Sequence, residues 1–492
     1  MTTKNGPSTD LWGHPKGLFL LFGTEMWERF SYYAMRALLV LYLVDRVQAQ
    51  GGGLGWDHAS ALQLYGTFTM LVYVTPLLGG WLADHITGQR LAIILGSILM
   101  AIGQFSLALP HAWLPGYELH AFYTGLGFLV AGNGLFKPNI STMVGDLYQP
   151  GDKRRDGAFT VFYLGVNLGM FLAGICVGVL IDQFGYQLEV DGELVQVRNY
   201  QAGFFLAGIG MLIALVLQMT LAKSFLGSIG IEPAAKRERR LQQELRKTPL
   251  TKQEVDRLKV VLIMGLFTII FWAGFEQAGG LMNIYADRFV DRTLGGVELN
   301  PAYFQSLNPL FIMIFAPLFA ALWMKLGKHD PNSPVKFAMG LVLLGIGFLM
   351  MVAATLQYSE DQQSSLWWLV LAYLFFTLGE LCLSPIGLAM VTRLSPLRMA
   401  SLMMGAWYFF MAGANKLAGL IGALIGSGEA ATDEDMVANA FAIFGGFTLA
   451  AFLAALLLYL MSDKLIQWMH GAELSRAAKA SAVAMPEPSK AP

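Results

Sequence analysis

The segment Glu25-Met26-Trp27-Glu28-Arg29-Phe30-Ser31-Tyr32-Tyr33 places ionised side chains inside an apolar run that extends from about 17 to 45. A run of about 20 such residues is long enough to cross the roughly 30 Å of hydrocarbon in a bilayer as an α-helix. Arg36 follows, and positions 25, 29, 32 and 36 fall on one helical face. Each charge would cost about 2.5–3.5 kcal/mol or more if it faced lipid. We therefore expect these groups to face each other or water at an internal site.

The composition of the whole chain agrees with a membrane protein. Of the 492 residues, 55% are hydrophobic and only 14% are charged, and the mean hydropathy is +0.53. A soluble globular protein carries about 25% charged residues. The net charge of -1 excludes the strongly basic character of nucleic-acid-binding proteins. Cys176 and Cys382 both lie in apolar stretches, which indicates buried thiols and neither a zinc site nor a disulfide framework.

Apolar runs of similar length recur along the chain, so the sequence predicts an all-α membrane protein. We place twelve spans near 17–45, 58–84, 89–110, 119–148, 157–183, 200–224, 259–288, 301–326, 336–357, 365–393, 399–427 and 437–462. Six spans fall in a first bundle over 17–224 and six in a second over 259–462, with a polar linker at 225–258. The ends at 1–16 and 463–492 are polar tails, and we expect the second tail to be disordered.

The basic residues of the short loops predict the orientation of the chain. Loops on one side carry Lys153, Arg154, Arg155, Lys325, Lys328, Lys336, Arg393 and Arg398, and the linker at 225–258 is rich in Lys and Arg. The opposite loops near 111–118, 358–364 and 428–436 carry no Lys or Arg. Because positive loops stay inside, both termini and the linker are predicted to be cytoplasmic. The polar N-terminus shows no cleavable signal, and we expect an integral plasma (inner) membrane protein.

The two halves of the chain carry similar motifs in the same order. The matching pairs are Thr75-Pro76-Leu77 with Ala316-Pro317-Leu318, and 132–138 with 379–385. In addition, Tyr163 followed by Leu-Ala-Gly at 172–174 matches Tyr408 followed by Leu-Ala-Gly at 417–419. Two sets of six helices in repeated order are typical of secondary transporters, whose site lies between the halves near the midplane. Convergent helix-packing composition is the alternative explanation.

Further charges lie inside later spans. Lys137 lies in the fourth span, Glu276 in the seventh, Glu380 in the tenth and Lys416 in the eleventh. A purely stabilising ion-pair network is one explanation, but buried pairs stabilise poorly compared with apolar packing. We favour a proton relay combined with a site for a charged solute. For Lys416 the sequence indicates no role beyond pairing.

These motifs resemble those of the proton-dependent oligopeptide transporters (POT, or PTR2), a family of the major facilitator superfamily. The segment 25–33 resembles the ExxERFxYY motif, and Phe159 to Gly169 is similar to the second signature. The segments 136–139, 271–277 and 379–385 also fit, and the resemblance extends over about 17–460. The loop 80–90 resembles the facilitator loop, except that His85 stands where Arg is common. The resemblance implies the major facilitator fold, and the short linker predicts twelve helices without an extra pair.

The resemblance also implies roles for individual residues. Glu25, Glu28, Arg29, Lys137 and Glu276 correspond to the residues implied in proton coupling. Arg36 and Lys137 are expected to bind the carboxylate of a peptide. Glu380, together with Asn308, is expected to bind its amine. Tyr32, Tyr33, Tyr73, Asn167 and Trp407 are expected to line the pocket. We further predict that Arg36 and Glu276, from opposite halves, form a gate.

The function expected from this resemblance is proton-coupled symport of di- and tripeptides by alternating access. No cofactor is expected besides the coupling proton, and the chain is expected to work as a monomer among membrane lipids. One alternative is transport of another solute, such as nitrate, a hormone or a drug, on the same scaffold. Glu380 favours peptide transport over transport of an inorganic anion, because such an anion has no amine for a carboxylate to bind. A receptor or enzyme is the other alternative, but the sequence has no HExxH, GxSxG or Walker motif.

Overall fold

The computed structural model describes residues 11–45, 52–110, 113, 115–149, 152, 154–190, 193–233, 250–359, 361–396, 399–426 and 432–472. The helices of the first half are α1 (Lys16–Val44), α2 (His58–Leu82), α3 (Gln89–Leu107), α4 (Glu118–Asp146), α5 (Arg154–Gln183) and α6 (Tyr200–Leu226). Those of the second half are α7 (Lys252–Phe275), α8 (Leu281–Phe289), α9 (Leu307–Leu326), α10 (Ser333–Gln357), α11 (Leu366–Leu394), α12 (Ala400–Gly422) and α13 (Asp433–Met469).

These helices agree with the twelve predicted spans, because α7 and α8 form one span that is interrupted at 276–280. Within the described residues, ten helices are long and apolar enough to cross a membrane by length and composition alone. The two other long helices, α1 and α4, carry the charges Glu25, Glu28, Arg29 and Lys137. The two long helices that are not apolar enough for this criterion, α1 and α4, therefore carry charges that the sequence assigns to an internal site.

The helices pack as two bundles with the same internal arrangement. In the first bundle α1 packs on α5 and α6, α3 on α4 and α6, and α2 on α4. In the second, α7 packs on α12 and α13, α10 on α11 and α13, and α9 on α11. Pro76 and Pro317 lie inside the equivalent helices α2 and α9, and Pro138 and Pro385 inside α4 and α11. The repeat that the motifs predict is therefore a repeat of the structure.

The bundles contact each other mainly toward one end. We call the end where α1 begins and α13 ends the terminus face, and the other end the opposite face. Hydrogen bonds that join the bundles on the way to the opposite face include Asn283 to the Ala37 carbonyl (3.0 Å), Arg198 to Asp287 (2.7 Å), Asn300 to Asp182 (2.7 Å) and Ser306 to the Phe171 carbonyl (2.7 Å). These contacts close the seam between the bundles at that end.

Two glycines form a backbone-to-backbone contact between the bundles. Gly66 of α2 lies against Gly419 of α12, and a Cβ atom at Gly66 would stand 2.7 Å from the Cα atom of Gly419. Real Cβ atoms do not come that close to a backbone atom. The two helices can therefore touch backbone to backbone only because neither residue has a side chain.

Short strands lie in the connections of the opposite face. β1 (Tyr186–Val190) and β2 (Glu193–Val197) form an antiparallel hairpin between α5 and α6. β3 (Val290–Asp291) pairs in parallel with β6 (Ser364–Ser365), and β4 (Thr293–Leu294) pairs with β5 (Val297–Glu298) in an antiparallel hairpin. The pairing of β3 with β6 connects the segment after α8 with the start of α11.

The last helix is longer than its apolar run. α13 continues to Met469, past position 462, where the sequence predicts the last span to end. The extension is held by the start of α7: Arg257 donates to the Met469 carbonyl at 3.1 Å, and His470 contacts Asp256 at 3.0 Å. The segment predicted as a disordered tail thus begins inside a helix. The positions 473–492, the central part of the linker at 234–249, and Lys153 and Arg398 lie outside the described residues.

The glycine contact predicts that Gly66→Val destabilises the closed seam. A valine there must push α2 away from α12, and overpacking of this kind typically costs about 1–3 kcal/mol. Gly446→Val is the matched control, because the same change in α13 meets nothing within 4 Å. Thermal unfolding in detergent should show a lower melting temperature for Gly66→Val than for Gly446→Val. Equal melting temperatures would mean that α2 and α12 do not touch in the purified protein.

Candidate functional site

A cavity of about 540 Å³ lies between the two bundles. At one end it is bounded by Arg36 and Glu276, and it extends past Thr142 of α4 and Leu388 of α11. Thr142 and Leu388 lie four to six residues before the ends of their helices at 146 and 394, which corresponds to about 6–9 Å from the terminus face. The cavity therefore reaches the terminus face, while the interbundle contacts separate it from the opposite face.

The charged cluster of α1 lies in the wall of the cavity that the first bundle contributes. The Nε of Arg29 lies 2.7 Å from Oε1 of Glu25 and 3.1 Å from Oε2 of Glu28. The amide of Asn133 donates to Oε1 of Glu28 at 3.2 Å. Glu25 and Arg29 line the cavity, whereas Glu28 is fully buried behind them. One guanidinium thus serves two buried carboxylates, of which only that of Glu25 lines the cavity.

Lys137 is a cation of this wall without a close anion among the described residues. Its Nζ lies 4.2 Å from the centroid of the Tyr73 ring, and both residues line the cavity. Among the described residues, no carboxylate comes within the 4.0 Å of an ion pair with Lys137, although Glu28 and Glu25 are near enough to interact with it electrostatically. A cation–π contact stabilises an ammonium without neutralising its charge. Lys137 is therefore placed to accept an anion from the cavity.

Arg36 and Glu276 connect the bundles at the closed end of the cavity. Nη2 of Arg36 donates to Oε2 of Glu276 at 2.6 Å, and its Nε donates to the Tyr65 hydroxyl at 2.7 Å. Glu276 lies directly after α7, in the short 3-10 turn that interrupts the seventh span. Both side chains are almost fully buried. The pair is formed here, where the opposite face is closed, and its separation in another state stays a prediction.

Glu380 lies on the wall that the second bundle contributes. The amide of Asn308 in α9 donates to Oε2 of Glu380 at 3.0 Å and to the Thr377 hydroxyl at 3.0 Å. Glu380 and Asn308 both line the cavity. The carboxylate thus faces the cavity from the bundle opposite Arg29 and Lys137.

The structure separates the predicted lining residues into two groups. Tyr33, Tyr73, Asn167 and Trp407 line the cavity. Tyr32 is not among the lining residues; its ring stacks on Phe68, with centroids 6.5 Å apart. Helical spacing alone does not separate the two groups, since Arg36, one turn after Tyr32, does line the cavity. Packing against Phe68 of α2 is what takes the Tyr32 ring out of the cavity.

Two residues that complete the site are missing from the sequence-based prediction. Tyr65 holds Arg36, and Asn133 holds Glu28. Asn133 lies one helical turn before Lys137 and Tyr65 lies eight residues before Tyr73, so each shares a face with a predicted residue. Tyr163 and Tyr408, which the sequence uses only to align the two halves, also line the cavity. These residues could have been found by searching the same helical face for polar side chains one or two turns from a predicted site residue.

The chemistry of the site is electrostatic. Within the part of the chain that the structure describes, no group of three or more His, Cys, Asp or Glu side chains could hold a metal ion. The cavity instead brings carboxylates, guanidinium groups and an ammonium into one enclosed space, where charges interact more strongly than in water. Such a site can bind a solute that carries both charges and can exchange protons with it.

Comparison with known proteins identifies similar chains. The PTR2 model, described as the POT family, matches residues 90–225 and 231–436. Peptide transporter YePEPT of Yersinia enterocolitica subsp. palearctica serotype O:3 (strain YE-P4) is 35% identical over 90% of this chain and 93% of its own. A di-/tripeptide transporter of Lactococcus lactis subsp. lactis (strain IL1403) is 33% identical over 83% of this chain and 89% of its own. A crystal structure of peptide transporter POT in complex with sulfate superposes with a TM-score of 0.82 at 33% identity, and covers 94% of this chain and 97% of that chain.

The interbundle pair predicts that Glu276→Gln opens the opposite face. Loss of a hydrogen bond between charged groups typically costs about 1.5–3 kcal/mol, which shifts the ratio of closed to open molecules by about ten- to hundredfold. Spin labels at Phe184→Cys and Val297→Cys, both exposed at that face, in a background without Cys176 and Cys382, should report a longer distance between the bundles.

The control for this experiment is Asp433→Asn. It removes the ion pair with Arg288 at the same face but within the second bundle, so the distance between labels should not change. If Glu276→Gln gave the same distance distribution as the parent, the pair would not hold the opposite face closed.

Proposed function

The chain belongs to the POT family, and we propose that it carries di- and tripeptides together with protons by alternating access between the two sides of a membrane. The chain is a transporter and not an enzyme, since its family and its relatives are transporters. The relatives named as peptide transporters cover most of this chain, which supports the same class of substrate here.

The observation that carries this proposal is the distribution of charge in the cavity. The first bundle contributes Lys137 and Arg29, and the second contributes Glu380, which Asn308 holds. A peptide with free termini is a zwitterion whose two charges are separated by a backbone of limited length. A cationic wall can therefore hold its carboxylate while the facing wall holds its amine. Tyr33, Trp407 and other large side chains leave room for variable side chains between them.

Proton coupling follows from the charge balance in the first bundle. Glu25 and Glu28 stand against Arg29 and Lys137, so the group is neutral only when both acids are ionised. Adding a proton to one acid leaves a surplus positive charge in a medium of low dielectric constant. A peptide carboxylate neutralises that surplus. Proton and peptide therefore stabilise each other's binding, which is the thermodynamic requirement for symport.

Alternating access requires a second state in which the opposite face is open. The cavity reaches the terminus face here, and the contacts that close the opposite face include Arg36 with Glu276. Arg154 and Lys325 lie at the terminus face, which by the positive-inside rule is cytoplasmic. We therefore propose that the structure is open to the cytoplasm, that the chain resides in the plasma (inner) membrane and that one chain is sufficient for transport.

Uptake by proteoliposomes tests the proposed substrate. Labelled dialanine should accumulate when the outside is made acidic, unlabelled dialanine should compete with it, and N-acetylated dialanine should compete much less. Glu380→Gln should weaken dialanine binding by about ten- to hundredfold, because a charge-assisted hydrogen bond to the amine is lost. Glu434→Gln, at an exposed position of the opposite face, is the matched control.

The N-acetylated peptide distinguishes the possible results. If it competed as well as dialanine, the peptide amine would have no partner, and the role of Glu380 would be wrong. If neither peptide were taken up while another solute was, the scaffold would serve a different substrate.

Comparison of driven uptake with exchange tests the coupling site. Glu28→Gln should abolish accumulation driven by a pH gradient, because the buried carboxylate no longer binds a proton, and should retain some counterflow between equal pools. Lys137→Ala should also lose driven uptake, since the acids then lack a counter-charge. Both activities are measured in the same liposomes, with Glu434→Gln as the control. Accumulation by Glu28→Gln at the parental level would remove this cluster as the coupling element and point to Glu276.

A further inference from the structure

Lys416 is an intramembrane charge that the central cavity does not use. It lies in α12, and its neighbours Leu417 and Leu420 are exposed on the outer surface of the bundle, where a membrane protein meets lipid. Its Nζ donates to the hydroxyl of Thr67 in α2 at 2.7 Å. Among the described residues, no carboxylate lies within ion-pair distance of Lys416. The ammonium therefore has a neutral partner and no compensating charge at the seam between the bundles.

A stripe of polar residues leads from Lys416 to the opposite face. Asp57, Ser60, Gln63 and Thr67 follow at intervals of three or four and share one face of α2. Together with Lys416 they line a groove of about 670 Å³, whose other walls include Trp56 and Tyr123. From Asp57 to Thr67 the stripe covers eleven residues, or about 15 Å along the helix axis. On a helix surface that faces only acyl chains, such a polar stripe would be energetically unfavourable.

The groove is separate from the proposed transport site. It shares no lining residue with the central cavity. The backbone contact between Gly66 and Gly419 lies between α2 and α12 at this seam. Trp56 and Tyr123 belong to residue types that are enriched where a membrane protein meets the headgroup region. The groove therefore opens toward the bilayer and its interface, on the outer surface of the molecule.

The order of charges along the groove is specific. Thr67 and Lys416 lie at the deep end, nine residues or about 13 Å past the start of α2 at His58. Asp57 lies at the outer end as the N-cap of α2, where its carboxylate accepts the Ser60 N–H at 2.8 Å. Hydrogen bonds from Ser60 lower the pKa of Asp57, which keeps it ionised at neutral pH. The groove thus presents a cation toward the membrane interior and an anion toward the surface.

A phosphoethanolamine lipid carries its charges in the complementary order. Its phosphate is attached nearest to the acyl chains, and its ammonium group is outermost. We propose that the groove binds the phosphoethanolamine headgroup of a bilayer lipid in an extended form, with Lys416 and Gln63 facing the phosphate and Asp57 facing the ammonium. Phosphoglycerol has no ammonium for Asp57, and choline has no N–H to donate.

A headgroup in this groove would act on the seam between the bundles. Lys416 belongs to the second bundle, and the polar stripe belongs to the first. The bound lipid therefore contacts both bundles where they close the opposite face. Its binding favours the state described here over one in which α2 and α12 separate, since a ligand shifts an equilibrium by its differential affinity for the two states.

Native mass spectrometry of the delipidated full chain tests this proposal. Dioleoyl phosphatidylethanolamine, phosphatidylcholine and phosphatidylglycerol are added at equal concentration, and bound lipid and melting temperature are measured. Phosphatidylethanolamine should bind several-fold more strongly than the other two. Lys416→Gln should reduce its binding about tenfold, and Asp57→Asn should make phosphatidylethanolamine and phosphatidylglycerol equal. Lys464→Gln, in the part of α13 near the terminus face, should change nothing.

Three results would overturn the proposal. The first is equal binding of phosphatidylethanolamine and phosphatidylcholine to the parent. The second is unchanged binding in Lys416→Gln or, if that variant does not fold, in Gln63→Leu. The third is full stabilisation by soluble glycerophosphoethanolamine, which would identify a free phosphoester as the ligand. Peptide uptake is measured separately, so failure of the lipid site and failure of the proposed function are distinguishable.

Discussion

The structure depends on one constraint: charges in the hydrocarbon region must be paired with neighbours or face a polar cavity or groove, because lipid cannot solvate them. α1 meets this constraint in two ways. Arg29 pairs with Glu25 and Glu28 inside the same helix, whereas Arg36 reaches Glu276 in the other bundle. The pairs of Arg29 with Glu25 and Glu28 stay formed when the bundles move. The pair of Arg36 with Glu276 exists only when the bundles are in contact, so closure of the opposite face depends on the charges of these two side chains.

The interbundle pair also explains the broken seventh span. Glu276 lies where α7 changes into a 3-10 turn, and the chain then passes Gly279 and Gly280 before α8 begins. The helix is regular as far as this carboxylate, and the break follows it. Beyond the break, Gly279 lies directly against Tyr65 and Arg36. Irregular backbone at membrane depth is tolerated where it is buried in protein or lines a cavity, and both conditions hold here.

The interface between the bundles differs in kind from their interiors. Within each bundle, buried apolar side chains such as Phe204 and Phe348 fill the space between helices. Between the bundles, the contacts toward the opposite face include hydrogen bonds, ion pairs and the meeting of Gly66 with Gly419, beside apolar contacts such as that of Leu62 with Gly280. Polar groups can exchange such partners for water, whereas separated apolar surfaces cannot. This difference allows the bundles to move as rigid bodies while each keeps its own core.

The sequence by itself determined the class of the protein, the spans, the internal repeat and the charges that must be buried, because hydropathy and helical spacing are properties of neighbours along the chain. It also placed Glu25 and Arg29 on one face of α1, since four residues make about one helical turn. Only the tertiary structure decided that Tyr65 holds Arg36, that Asn133 holds Glu28 and that Tyr32 turns away from the cavity. The rotation of each helix about its axis is set by packing against helices distant in sequence, and the length of α13 is likewise set by its contacts with α7. These interactions leave no periodic signal in the chain.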